Sequence, residues 1–221
     1  MDVMTVGWTR ALAALAVAFA LGGCNLVVSE KPLFTQADAA GAPVLRPGAW
    51  VSPKGDCSFD ETKPVADWPE CANPVVIRPG EIFDPRKAES QGPYVLAAGD
   101  PRIVQAPIKP GGDVEPKGED KTLFAYLGLK PRRFDGQGRI VEFESWFVQC
   151  GPPPPEPPKS TKKLPSPSQF VTRRPLPGLK VDPKSGTCVA VSQGPVRNAA
   201  RSSRAWAEHV DVARWVRDGE K

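Results

Sequence analysis

Two carboxylates separated by one residue, Glu142 and Glu144, stand beside Trp146 in an otherwise apolar stretch. Paired acids next to an aromatic ring can cleave a glycosidic bond, one protonating the leaving oxygen while the other attacks or activates water. The same pair on a strand is also what a solvated face looks like, with Arg132 or Arg133 on the partner strand as counter-charge. Arg197, Arg201 and Arg204 recur at i, i+4 and i+7, so a helix projects all three from one side. Such a row can meet phosphate or carboxylate groups on lipid, lipopolysaccharide or cell wall, or it can be the wet face of an amphipathic helix. His209 is the only histidine. The chain has neither G-x-S-x-G nor H-E-x-x-H, so it lacks the sequence signs of a triad hydrolase or a zincin. No cofactor and no metal site are expected, and Glu142 and Glu144 are the only candidates for catalysis.

The remaining reactive side chains are five cysteines. Cys24 follows Leu21-Gly22-Gly23, and these follow an unbroken apolar run from Ala11 to Ala20 with Arg10 before it. Small residues beside a scissile bond suit a peptidase, and only a thiol can take diacylglycerol through a thioether. The arrangement resembles the lipobox of bacterial lipoproteins. That resemblance covers residues 1–25. It implies that residues 1–23 are a signal peptide and that Cys24 becomes the first mature residue. The thiol would be diacylated and, in Gram-negative bacteria, the new amine acylated with a chain such as palmitate. At about 0.8 kcal/mol per buried methylene, two or three chains anchor stably where one does not. Asn25 stands where aspartate is the familiar inner-membrane retention signal, which implies an outer-membrane location facing the periplasm. The alternative is an uncleaved anchor from Ala11 to Val28, slightly short of the ~20 apolar residues a span requires.

Cys57, Cys71, Cys150 and Cys188 remain, an even set for an oxidising compartment, and two disulfides are expected. Three connectivities are open. Cys57–Cys71 and Cys150–Cys188 are favoured because each closes a loop between recognisable elements. Four thiolates on zinc would be the other use, but structural zinc draws on pairs spaced C-x2–4-C, and none here is that close.

The elements that must position these groups are constrained by proline, 27 of 221 residues. Each proline removes a backbone donor and fixes φ, so long helices and central strands are scarce where prolines cluster. Residues 24–42 read as a flexible tether and residues 43–221 as one globular domain. A proline-rich insertion occupies 151–177, begun by Pro152-Pro153-Pro154-Pro155. Strand candidates include Val75–Ile77, Glu81–Phe83, Tyr94–Ala97 and Arg102–Gln105. The clearest local signal is Thr122–Leu129, a turn through Asp135-Gly136-Gln137-Gly138, and a strand from Arg139 to Cys150. On that strand Val141, Phe143 and Phe147 share one face, opposite Glu142 and Glu144. Leu179–Val181 and Thr187–Val191 read as a second hairpin. Val196, Ala199, Ala200, Ser203, Trp206, Ala207 and Val210 recur at helical spacing after Pro195, which suits a first helical turn. The fold class expected is α+β: a curled antiparallel sheet of short strands, one C-terminal helix and a long proline-rich loop.

A net charge of +4 is mild for this length, and together with an export signal it argues against nucleic acid as a partner. The proline-rich stretch with Lys159, Lys162, Lys163, Arg173 and Arg174 reads as a docking arm or a passive spacer. The chain as a whole is similar to lipoproteins of proteobacteria. The expected function is a lipid-anchored envelope protein with a structural or binding role, partnered by the membrane through Cys24 and by an envelope protein or cell wall. A small-ligand or saccharide-binding module is the first alternative, and a cell-envelope hydrolase using Glu142 and Glu144 the second.

Overall fold

The computed structural model describes residues 25–108, 122–153, 171–182, 186–207 and 210–219. The amino-terminal segment holds β1 (Val27–Ser29) and a 3-10 turn at Gln36–Ala39, and then leads to β2 (Gly48–Val51). A long connection with two further 3-10 turns reaches β3 (Val75–Arg78), β4 (Glu81–Asp84), β5 (Glu89–Pro93), β6 (Val95–Ala97) and β7 (Arg102–Ile108). The two longest strands are β8 (Leu123–Phe134) and β9 (Ile140–Phe147). The hairpin β10 (Leu179–Val181) and β11 (Cys188–Ala190), the helix α1 (Gln193–Ser203) and β12 (Asp211–Arg217) complete the chain.

The pairings close into a ring. Strands β2, β3 and β4 form an antiparallel meander, and β5 adds to β4 through Glu81 opposite Pro93. One residue later the same run becomes β6, which turns its other edge to β7 through Val95 opposite Gln105. The ring continues antiparallel through β7–β8, β8–β9 and β9–β12, and β12 returns to β2 with Trp215 opposite Trp50. The bent run 89–97 thus stitches the two halves into an up-and-down barrel, which leaves these strands no free edge along the paired stretches. Outside the ring, β1 pairs antiparallel with the start of β8 and parallel with β11, and β10 flanks β11.

Side chains alternate in and out of this wall. Trp50, Ile77, Leu96, Val104, Leu129, Phe143, Ala213 and Trp215 point inward and pack together as the barrel core. An eight-stranded barrel has an interior just wide enough to be filled this way. The outward face is also buried in two places. Under α1, the residues Phe34, Ile103, Tyr126, Val148, Val196, Ala199 and Ala200 form one layer. Over β2–β4, the connection 52–74 covers Ala49, Val51 and Val76 with Val65, Trp68 and Ala72. Strands covered on both faces read as continuous apolar runs, which is the pattern of Ala49-Trp50-Val51 and Ile103-Val104.

Three expectations are corrected. The protein is mostly β, with 41% strand and 13% helix, and its sheet is a 12-stranded mixed one rather than the curled antiparallel sheet of an α+β domain. Closure of the ring and the parallel β1–β11 pair are the cause, since both depend on contacts between segments far apart in sequence. The strands are not all short either. β8 runs 12 residues and passes through Pro131, which is tolerated because β7 has ended opposite Leu129, leaving no ladder on that side to lose a donor. Finally, 25–42 is not a free tether. Val27 and Val28 are 1% and 2% exposed, because β1 is covered by β8 and β11 on its two edges. Of the proline-rich insertion, residues 154–170 lie outside the described residues.

The expected helix is present but stops at Ser203, and Trp206, Ala207 and Val210 of the apolar pattern fall in the connection that leads to β12. Val196, Ala199, Ala200 and Ser203 face the barrel. The indole of Trp146 donates to the carbonyl of Ala200 at 2.9 Å, satisfying an acceptor near the helix end. Gly128, directly opposite Trp146 on β8, makes room for that ring: a β-carbon at this position would come within 2.4 Å of the indole. Gly128→Val is therefore expected to lower stability by about 1–3 kcal/mol through overpacking, measured by urea titration. Tryptophan fluorescence should report a disturbed Trp146, and a variant as stable as wild type would contradict this packing.

Candidate functional site

The two disulfides form as favoured: Cys57–Cys71 with Cα atoms 5.6 Å apart and Cys150–Cys188 with 5.9 Å. The first closes the connection 52–74 on itself, and the closed loop packs over β2–β4. The second ties the end of the β9 run to β11, beside the point where the described chain begins.

At that point the chain is held by a set of polar contacts. Asn25 is 4% exposed and has a positive φ of 84°, a conformation asparagine tolerates better than most residues. Its N–H donates to the Gly186 carbonyl at 2.9 Å, and its carbonyl accepts from Cys150 N–H at 2.8 Å. Its side-chain oxygen accepts from the Thr172 N–H. Leu26 bridges Gln149, and Val27 N–H donates to the Val148 carbonyl at 2.9 Å. The segment 25–28 is thus gripped from both sides by groups that the Cys150–Cys188 bond holds in place.

Further along, Ser29 and Lys31 to Phe34 are held by two polar side chains from the barrel wall. The hydroxyls of Ser29 and Tyr126 bond to each other, and Ser29 donates to the Lys31 carbonyl at 2.6 Å, so Tyr126 is the donor to Ser29. Gln105 accepts from Leu33 N–H at 2.7 Å and Phe34 N–H at 2.9 Å, and donates to the Phe34 carbonyl at 2.9 Å. A single carboxamide here does the work of a strand partner. Sequence reasoning missed this set. The available signal was Gln105 itself, a polar residue two positions from Ile103 on a face that is otherwise apolar.

Glu142 and Glu144 lie on the outer wall, as their alternation on β9 predicts, but as members of an ion-pair cluster. Arg132 approaches both at 3.6 and 3.8 Å, Arg133 reaches Glu142 at 3.7 Å, and Arg204 binds Glu144 at 2.7 Å. The Arg204 hydrogen bond holds the Glu144 carboxyl below its ordinary range. A general acid needs the opposite shift, so this arrangement speaks for the counter-charged strand face.

The arginine row does not stand free for anionic surfaces. Arg197 donates to the Ala98 carbonyl at 2.7 Å, Arg201 to the Asp100 carbonyl at 3.2 Å, and Arg204 to Glu144. These guanidiniums clasp α1 to the barrel, because the helix docks along the side that carries them. Cys24 and His209 lie outside the described residues. Among the described residues no group of three or more His, Cys, Asp or Glu side chains is placed to hold a metal.

One end of the barrel is covered by residues 36–45. Between them and the wall lies a cleft of about 90 Å³, lined by Gln36, Ala39, Val44, Leu45, Tyr94 and Leu96. Ligand sites for small molecules commonly occupy roughly 300–1,000 Å³, so this cleft is small for a saccharide.

The polar clamp yields two expectations. Gln105→Ala strands two N–H groups and a carbonyl and should cost about 1–3 kcal/mol or more, read by denaturant unfolding; an unchanged midpoint would contradict the clamp. Burial pushes the Tyr126 phenol from 10.0 up to about 12. Below pH 10 both states are protonated and this stabilisation is complete; from there to about pH 12 only the unfolded chain ionises, so stability falls. Tyr126→Phe lacks that loss. It should be less stable than wild type at neutral pH, with the gap narrowing across this alkaline window, and a constant gap would refute the assignment. No protein-family model, curated protein or solved structure matches this chain.

Proposed function

We propose that this chain is a cell-envelope lipoprotein, held on a membrane by lipid at Cys24, whose barrel serves a structural or binding role rather than a catalytic one. The observation that carries the reading is the seat of Asn25. Asn25, the residue that follows the acceptor thiol, is buried and hydrogen-bonded to the overlay on the barrel, and every described strand lies after the site of a cut before Cys24. The sequence Leu21-Gly22-Gly23-Cys24 supplies the chemistry of that cut.

Two further observations favour a non-enzymatic role. The barrel interior is filled by its own side chains, and the acid pair that a hydrolase would use is neutralised by arginines from β8 and the end of α1. Two disulfides suit an oxidising compartment. Asparagine after Cys24, where aspartate would retain the protein in the inner membrane, supports an outer-membrane location facing the periplasm.

The test is the full chain expressed in a Gram-negative host, with the membrane fraction examined by mass spectrometry and detergent phase separation. The expected result is an amino-terminal peptide that begins at Cys24 and carries acyl mass, with the protein in the detergent phase. Cys24→Ser should abolish both, and inhibition of signal peptidase II should leave the longer precursor. A serine variant processed and membrane-held like wild type would overturn the proposal.

A further inference from the structure

We infer that the protein sits on its membrane without a spacer, with the surface around Asn25, Gly151 and residues 172–174 pressed against the lipid headgroups. This rests on the anchor reading above and extends it to an orientation. Consecutive Cα atoms are about 3.8 Å apart, so a lipid on Cys24 begins one residue from a buried, fully engaged Asn25. Had residues 24–42 been a free tether, a flexible chain of that length would have let the domain stand off by roughly 20–25 Å. Instead β1 lies between β8 and β11, and Asn25 is bonded to Gly186, Cys150 and Thr172. The slack in the anchor is removed by these bonds.

The surface at this point has the chemistry of a headgroup contact. The loop that holds Asn25 continues from Thr172, which is buried, to Arg173 and Arg174, which are both exposed. Arg174 N–H donates to the Thr172 hydroxyl at 3.2 Å, which fixes the loop at this turn. The loop also packs closely on Gly151, where a β-carbon would come within 2.6 Å of the Arg174 carbonyl and the Thr172 hydroxyl. Lys180 adds a third exposed cation on β10, the strand that flanks β11. Guanidinium groups beside a lipid anchor meet phosphate oxygens at close range, and anionic headgroups strengthen the contact. Strands β3 and β4 lie across the ring from β8, so the covering connection 52–74 is turned away from the bilayer.

The experiment uses the lipidated full-length protein reconstituted into vesicles of phosphatidylethanolamine and phosphatidylglycerol. A water-soluble arginine reagent is applied and its sites are read by mass spectrometry. Arg173 and Arg174 should lose modification relative to a lipid-free protein made without residues 1–23 and with Cys24→Ala, mixed with the same vesicles. Arg78 and Arg86, at β3 and the β4–β5 turn, should be modified equally in both. A Gly-Ser insert of about 12 residues after Cys24, with a root-mean-square span of about 20 Å, should restore modification at Arg173 and Arg174. Equal modification of those two in the anchored and lipid-free proteins would overturn the inference, as would protection that survives the insert. The same spectra report whether Cys24 carries acyl mass. Its absence overturns the anchor reading itself, whereas acylation with exposed Arg173 and Arg174 overturns only the orientation.

Discussion

The structure depends on one closure: the run from Glu89 to Ala97 gives one edge to β4 and the other to β7. A sheet left open there would expose two edges and an apolar face carrying Trp50, Leu129 and Trp215. Closed, the same strands surround those side chains and bury them against one another. The hydrophobic gain from that burial is the dominant stabilising term, and it is available only once the ring is complete. Because the strands are antiparallel and mostly consecutive, closure needs just one long return, that of β12 to β2.

The described segments outside the barrel are laid on its wall and fastened to it. Helix α1 is fastened by Trp146, by the Ser203 hydroxyl bonded to Gln149, and by three arginines. The connection 52–74, closed on itself by its disulfide, is fastened by Arg214, which donates to the Glu61 carboxylate at 2.6 Å, and by Arg217, which donates to the carbonyls of Glu61 and Lys63 at 2.6 and 2.7 Å. The amino-terminal segment is fastened by Gln105, Tyr126 and the groups around Asn25. A polar group buried without a partner costs on the order of 1–3 kcal/mol, so each fastening also satisfies atoms that the overlay takes out of water. The same economy explains the charged residues: basic and acidic side chains on the outer wall neutralise one another, and the apparent catalytic pair is one instance.

This fastening has a functional consequence at the amino terminus. A domain hung from a flexible segment samples many orientations, whereas one gripped at the residue after a lipid anchor would present a fixed side. With lipid on Cys24, as proposed, the loop bearing Arg173 and Arg174 would face the headgroups and the connection 52–74 would face away.

Much of the local structure was legible in the sequence. Alternation set Phe143 on the face opposite Glu142 and Glu144 on β9, turn residues marked the hairpin β8–β9, apolar runs marked β6, β7, β10 and β11, and helical spacing found Val196, Ala199, Ala200 and Ser203. Loop logic chose the two disulfides among three connectivities. These features follow from periodicity and chain entropy, which act over short stretches. What the sequence could not decide was long-range. Val27-Val28 looks like any short apolar pair until β8 and β11 flank it, and so the sequence suggests a tether where the fold has a strand. The arginines of α1 have helical spacing whether they face water or the Ala98 and Asp100 carbonyls. Gln105 reveals its purpose only when Leu33 and Phe34 arrive beside it. Residue types and spacing therefore determined most of the strands and the start of the helix, but not β1. Only tertiary structure decided that they close into a ring and grip the segment 25–34, because those contacts join segments that no local pattern connects.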